Sequence, residues 1–165
     1  MTLDVSSGFP YYISLVGSSD YKQLFRSQES FNLLYSLTPA QAEYRYAEGK
    51  WCIKQIVGHI ADHERIMIYR ALRFSRGDTT PLPGYDQELF VQNSRFNEMS
   101  YKDILQDFKN VRQATISLTD SFSVDQLHLK GKAWKFELTV EDILKATIGH
   151  EIHHMNVIRK RYLDR

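Results

Sequence analysis

The chain has 165 residues, 42% hydrophobic and 25% charged, the size and make-up of one ordinary globular domain, so residues 1–165 are read as a single domain. Twenty-one Lys and Arg against 20 Asp and Glu leave a net charge of +1, too little to attract nucleic acid or an anionic membrane, and neither is expected as a partner. No run approaches the roughly 18 apolar residues of a membrane span, the first twenty residues hold no Lys or Arg of a targeting peptide, and a cytoplasmic location is the default expectation.

After a Tyr-rich lead at Phe9-Pro10-Tyr11-Tyr12, the stretch Gly17-Ser18-Ser19-Asp20 supplies capping residues for a first long helix, whose apolar positions are Tyr21, Leu24, Phe25, Phe31 and Tyr35. Thr38-Pro39 ends it and opens a short helical turn with proline at the first position, where its missing N–H costs nothing. A second long helix begins after Trp51-Cys52 and runs to about Arg76, where Gly77-Asp78 stops it. Its stripe is Ile53, Ile56, Val57, Ile60, Met67, Ala71 and Phe74. Residues 77–99 contain Pro81, Pro83 and Gly84, show no sustained period, and read as a long connection. Ser100 caps a third helix that ends near Ser121 and carries Ile104, Leu105, Phe108, Val111 and Leu118.

Residues 122–138 form a second long connection with a short turn at Ser123 to Leu127. Thr139 then caps the last long helix, with Glu141 and Asp142 in its first turn and Arg159, Lys160 and Arg161 in its last, an order that suits the helix dipole. Four long amphipathic helices without a convincing strand pattern predict an all-α four-helix bundle, with long connections between helices 2 and 3 and between 3 and 4.

With one cysteine, Cys52, the chain cannot form an intramolecular disulfide or a thiolate-rich zinc site. Histidine is the informative minority: five of the six fall in two groups, His59 with His63 and His150 with His153 and His154. On a helical wheel from Val140, His154 lies about 40° and His150 about 80° from the apolar stripe, while His153 lies roughly 140° away and is expected in solvent. His150 and His154 stand at i and i+4, which brings two imidazole nitrogens within reach of one ion. On the second helix His63 lies about 80° and His59 about 120° off the stripe. A pair from one helix and one histidine from the other would make a three-nitrogen site with coordination positions left open. The alternative is a set of partly exposed histidines that bind nothing.

His150-Glu151-Ile152-His153-His154 also matches H-E-x-x-H, in which the Glu of a zinc protease is the general base. The usual layout needs a third ligand downstream, and the eleven residues that remain hold no histidine. Glu151 falls near the middle of the inward stripe, as a group that orients a ligand or as a buried carboxylate paired with an arginine. Glu64 also faces inward, either as an acid or base or in an ion pair with Arg65, Arg70 or Arg73.

Tyr44-Arg45-Tyr46-Ala47-Glu48-Gly49-Lys50-Trp51, then Ile53 to Asp62 with Glu64-Arg65, then Tyr69-Arg70-Ala71-Leu72-Arg73-Phe74, Pro81-Leu82-Pro83-Gly84-Tyr85-Asp86 and the closing Gly149 to His154, resemble the DinB-like superfamily over nearly the whole chain. The resemblance implies a four-helix bundle holding one divalent metal on His59, His150 and His154, zinc or nickel typically and iron or manganese as further options. It also implies a homodimer, and a small-molecule substrate that in some members is a low-molecular-weight thiol such as bacillithiol or mycothiol. His63 departs from the small polar residue more usual there and is a candidate outer-shell or proton-transfer group. Cys52 replaces the usual Ser or Thr at the helix start, either as a thiol activated by the helix N-terminus or as a half-buried structural residue.

The expected function is therefore a metal-dependent thiol transferase or hydrolase, the ion acting as a Lewis acid, with Glu64, Glu151 and His63 as candidate catalytic groups. The competing expectation is a non-catalytic, metal-stapled dimeric domain with a stress-related or interaction role.

Overall fold

The computed structural model describes residues 3–164. After a 3₁₀ turn at Val5–Ser7, the chain forms α1 (Phe9–Val16), α2 (Tyr21–Arg26), α3 (Glu29–Ser36), α4 (Pro39–Glu43), the long α5 (Ile53–Ser75), α6 (Gln87–Gln92), the long α7 (Tyr101–Asp120) and α8 (Val124–Leu127). A hairpin of β1 (Lys130–Ala133) and β2 (Phe136–Thr139) leads into α9 (Val140–Val157), which continues as a π-helical turn over Ile158–Leu163. The core of the bundle is α5 between α7 and α9, with α2 packed on both α7 and α9. Among the described residues no helix is long and apolar enough to cross a membrane.

The capping chemistry read from the sequence sets the boundaries. Asp20, Thr38, Ser100, Ser123 and Thr139 each accept a hydrogen bond from a backbone N–H of the first turn that follows. At the end of α5, Gly77 and Asp78 donate back to the carbonyls of Phe74 and Arg73, closing the helix as its glycine predicts.

Besides the short α6 within the first long connection, three features differ from the expectation. The first long helix is two short ones, because Ser27 takes an extended backbone and its hydroxyl accepts from the Glu29 N–H, a local bond that competes with the helical ladder. The Tyr-rich lead is itself a helix, α1, which lies along α9. A Cβ on Gly149 would come within 2.0 Å of the Tyr12 carbonyl oxygen, so glycine there is what permits this approach. The second long connection contains the β-hairpin, tied through Leu82 to the first: Leu82 donates to Lys132 O and accepts from Trp134 N, both at 2.8 Å. Its inward positions on β1 are Gly131 and Ala133, small because Phe74 lies directly beneath Gly131, and that removes the alternating large apolar residues that mark a strand.

At the centre of the bundle is a buried ionic cluster. Arg112 of α7, 2% exposed, donates from Nε and Nη2 to the two carboxylate oxygens of Glu64 on α5 at 3.0 and 2.8 Å, and from Nη2 to Glu151 on α9. Its guanidinium lies among the rings of Phe25, Phe31 and Phe108. This cluster pins the registers of α5 and α9 at the level of the histidines, since Glu64 follows His63 and Glu151 follows His150.

Candidate metal centre

The i, i+4 spacing on α9 puts His150 and His154 on one face, and α5 brings His59 opposite them. The Nε2 atoms of His59 and His154 stand 3.0 and 3.1 Å from Nε2 of His150, and one donor nitrogen from each residue lies within 4.8 Å of the others. Nitrogen ligands about 2.0–2.1 Å from a tetrahedral ion are themselves about 3.3 Å apart, so the three side chains already hold close to a ligand arrangement. Burial lowers the pKa of His59 to about 4 and pushes those of His150 and His154 well below the ordinary value, with neighbouring imidazoles adding to the effect. Three neutral imidazoles with converging nitrogens present lone pairs to one point. The chemistry of these donors fits a cation, and among the described residues the converging group ends at three.

His59 is 1% exposed although the wheel set it well off the apolar stripe. The discrepancy has a simple cause: α5 is the central helix and is covered on several faces, so a single-stripe reading underestimates its burial. Trp51 packs on the His59 ring at 5.0 Å, and Tyr162 donates to the Trp51 carbonyl at 2.5 Å, so the end of the chain braces the site. His153 is half-buried instead of solvated, because α1 covers that side of α9 and the Tyr11 hydroxyl lies 3.0 Å from its Nδ1. Cys52 is buried at the N-cap of α5.

His63 does not join the converging group but stacks on the His150 ring, centroids 3.7 Å apart and planes at 22°. Its Nδ1 is 2.6 Å from the Tyr85 hydroxyl, while its buried Nε2 has no hydrogen-bond partner among the described residues. Burial raises the pKa of Tyr85, which keeps the phenol protonated, and lowers that of His63 well below its ordinary value. The arrangement that satisfies most groups has the Tyr85 O–H donating to Nδ1, which leaves Nε2–H as a free donor. Glu64 and Glu151 are both directed to Arg112. The partner of Glu64 is thus an arginine of α7, not Arg65, Arg70 or Arg73, and Glu151 does not occupy the general-base position of the H-E-x-x-H pattern.

A cavity of about 570 Å³ opens on His63 and His150. Phe9 and Tyr12 from α1, Arg70 from α5, Tyr85 from the first connection, and Trp134 and Phe136 from the hairpin line it. A smaller cleft of about 220 Å³ reaches His153 and His154 from the other side. The sequence reading missed Arg70, Tyr85, Trp134 and Tyr12 as site residues. Their signal was proximity in the fold, which depends on α1 and the hairpin.

The sequence profile of the DinB superfamily matches residues 25–158. The chain belongs to the DinB superfamily. A protein of Oceanobacillus iheyensis whose name describes a candidate metal-dependent hydrolase is 26% identical over 131 residues, an alignment covering 75% of this chain and 72% of the relative. Among solved structures, YfiT of Bacillus subtilis, described as a candidate metal-dependent hydrolase with an unusual four-helix bundle topology, superposes with a TM-score of 0.70 at 16% identity. That superposition covers 96% of this chain and 87% of YfiT, and it establishes the shared bundle. The profile match of the DinB superfamily spans all of α5, α7 and α9, including all three converging histidines, while α1 and its contribution to the cavity lie outside it.

Proposed function

We propose that this DinB-superfamily protein is a metal-dependent hydrolase whose divalent ion, zinc or nickel, is held by His59, His150 and His154 and whose substrate occupies the adjoining cavity. The observation that carries the reading is the convergence of one nitrogen each from His59, His150 and His154, with His150 also lining a cavity large enough for a small molecule. A converging group of three supports an open, catalytic site over a closed structural one. When bound, such an ion supplies Lewis-acid polarisation and lowers the pKa of water.

The remaining roles belong to this chain's side chains. His63 Nε2–H donates to negative charge that develops on the substrate oxygen, a neutral imidazole being suited to this because it needs no proton from solvent. Tyr85 holds the ring by its hydroxyl on Nδ1. Tyr12, whose ring meets that of His150 at 5.2 Å, and Phe136 keep the cavity dry on that side. Arg112 positions both helices through Glu64 and Glu151 without touching the substrate.

The test is hydrolysis of a panel of small esters and amides by zinc-loaded protein, each with and without a low-molecular-weight thiol. The reading expects turnover without thiol, and a drop in kcat of about 10²–10³-fold in His63→Ala with zinc stoichiometry unchanged. Turnover that requires the thiol would replace hydrolysis by thiol transfer, and an unchanged kcat in His63→Ala would remove His63 from the chemistry.

A further inference from the structure

Arg70 is 4% exposed and lies on the cavity wall, yet among the described residues no carboxylate forms an ion pair with it. Its Nη2 donates to the Pro83 carbonyl at 2.7 Å and its Nη1 to the Met67 sulfur at 3.4 Å, both neutral acceptors. Arg112, equally deep, is matched by two glutamates. The acid on the cavity wall, Asp86, is engaged elsewhere, its Oδ1 accepting from the Glu88 and Leu89 N–H groups at the start of α6. Burial pushes the Arg70 pKa down from its ordinary value, the direction expected for a desolvated cation without a counter-ion.

The cavity wall thus holds a guanidinium without a carboxylate partner, Arg70, near His63 and the apolar faces of Phe9, Trp134 and Phe136. A buried guanidinium of this kind is complemented by an anion that brings its own negative charge into the site. One cation matches one charge, so a carboxylate fits better than a phosphate dianion, which would leave negative charge unmatched in an apolar enclosure. His63 and Arg70 lie two turns apart on one face of α5, about 10 Å along its axis, which spaces the anion from the histidines by roughly the length of a ring and a short linker.

We propose that Arg70 is the anion-recognition residue of this cavity and that the substrate is a small monocarboxylate with an aromatic or apolar body, its carboxylate on Arg70 and its reactive group beside His63 and His150. The placement of the reactive end rests on the hydrolase reading above. The carboxylate end rests on Arg70 alone.

The probes are phenylacetate and its neutral isostere phenylacetamide, titrated calorimetrically into the zinc-loaded full chain. Phenylacetate should bind at least 10-fold more tightly, and Arg70→Gln should abolish the difference while zinc stays bound. If Arg70→Gln fails to fold, Arg70→Lys decides: losing the planar fork should weaken phenylacetate at least fivefold and leave phenylacetamide unchanged. No preference in the wild-type protein overturns the proposal. So does a preference that survives Arg70→Gln, or Arg70→Lys where that variant decides, since the carboxylate would then sit on the metal end. Zinc content measured on the wild-type samples separates the two ideas, because a wild-type chain that holds no zinc yet prefers phenylacetate, with the preference lost in Arg70→Gln, would defeat the metal centre and leave Arg70 standing.

Discussion

Arg112 is surrounded by phenylalanine rings and answered by two carboxylates, so its loss would leave Glu64 and Glu151 buried without a cation. Removing one partner of such a cluster costs far more than the cluster adds in net stability. Arg112→Met should lower the unfolding free energy in urea by about 3–5 kcal/mol, and adding Glu64→Leu and Glu151→Leu should recover most of it. A loss under about 1 kcal/mol in the single variant would show that the cluster does not bear on the fold as described. Among the histidines, the His150–His154 pair is legible from the i, i+4 spacing alone, whereas His59 emerges through family resemblance because its helix is covered on more than one face. The partner of Glu64 is not legible: Arg112 is distant in sequence, and only the packing of α7 on α5 brings it in.

At the level of elements, the long helices and their ends follow from caps, glycines and apolar period, and α5, α7 and α9 stand where those signals put them. What pattern reading passed over is α1 and the hairpin. A short helix opening Phe-Pro and rich in tyrosine lacks a clear apolar stripe, and a strand whose inward residues are glycine and alanine lacks alternation. Both elements build the cavity, which is why the converging nitrogens were readable and the cavity wall was not. The seating of α1 depends on Gly149, and Gly149→Ala should force α1 off α9 at a cost of about 1–3 kcal/mol. Hydrogen exchange should show amide protection lost over residues 9–16 and largely kept over α7; unchanged protection in α1 would contradict the close packing.

For the whole molecule, the histidine cluster makes the metal-free protein sensitive to acid. Burial holds His59, His63, His150 and His154 below their ordinary pKa in the folded state, so the unfolded chain binds more protons whenever pH falls below about 6.5. Stability therefore decreases as pH drops from about 6.5, by up to ~1.4 kcal/mol per pH unit for each histidine involved, and stops decreasing from this source below the folded values. Chelator-treated protein should thus show a melting temperature that is flat from pH 8 to 7 and falls steeply from pH 6.5 to 5, while a flat profile to pH 5 would mean the imidazoles are not buried as a group. Three of those imidazoles, on His59, His150 and His154, are assigned to one divalent ion. Elemental analysis of protein purified without a nickel-charged column and offered zinc reads that ion. About one divalent ion per chain is expected in the wild-type protein and under about a tenth of that in His150→Ala, with helix content by circular dichroism retained. Stoichiometric metal in folded His150→Ala, or none in the wild-type chain, would contradict the assignment.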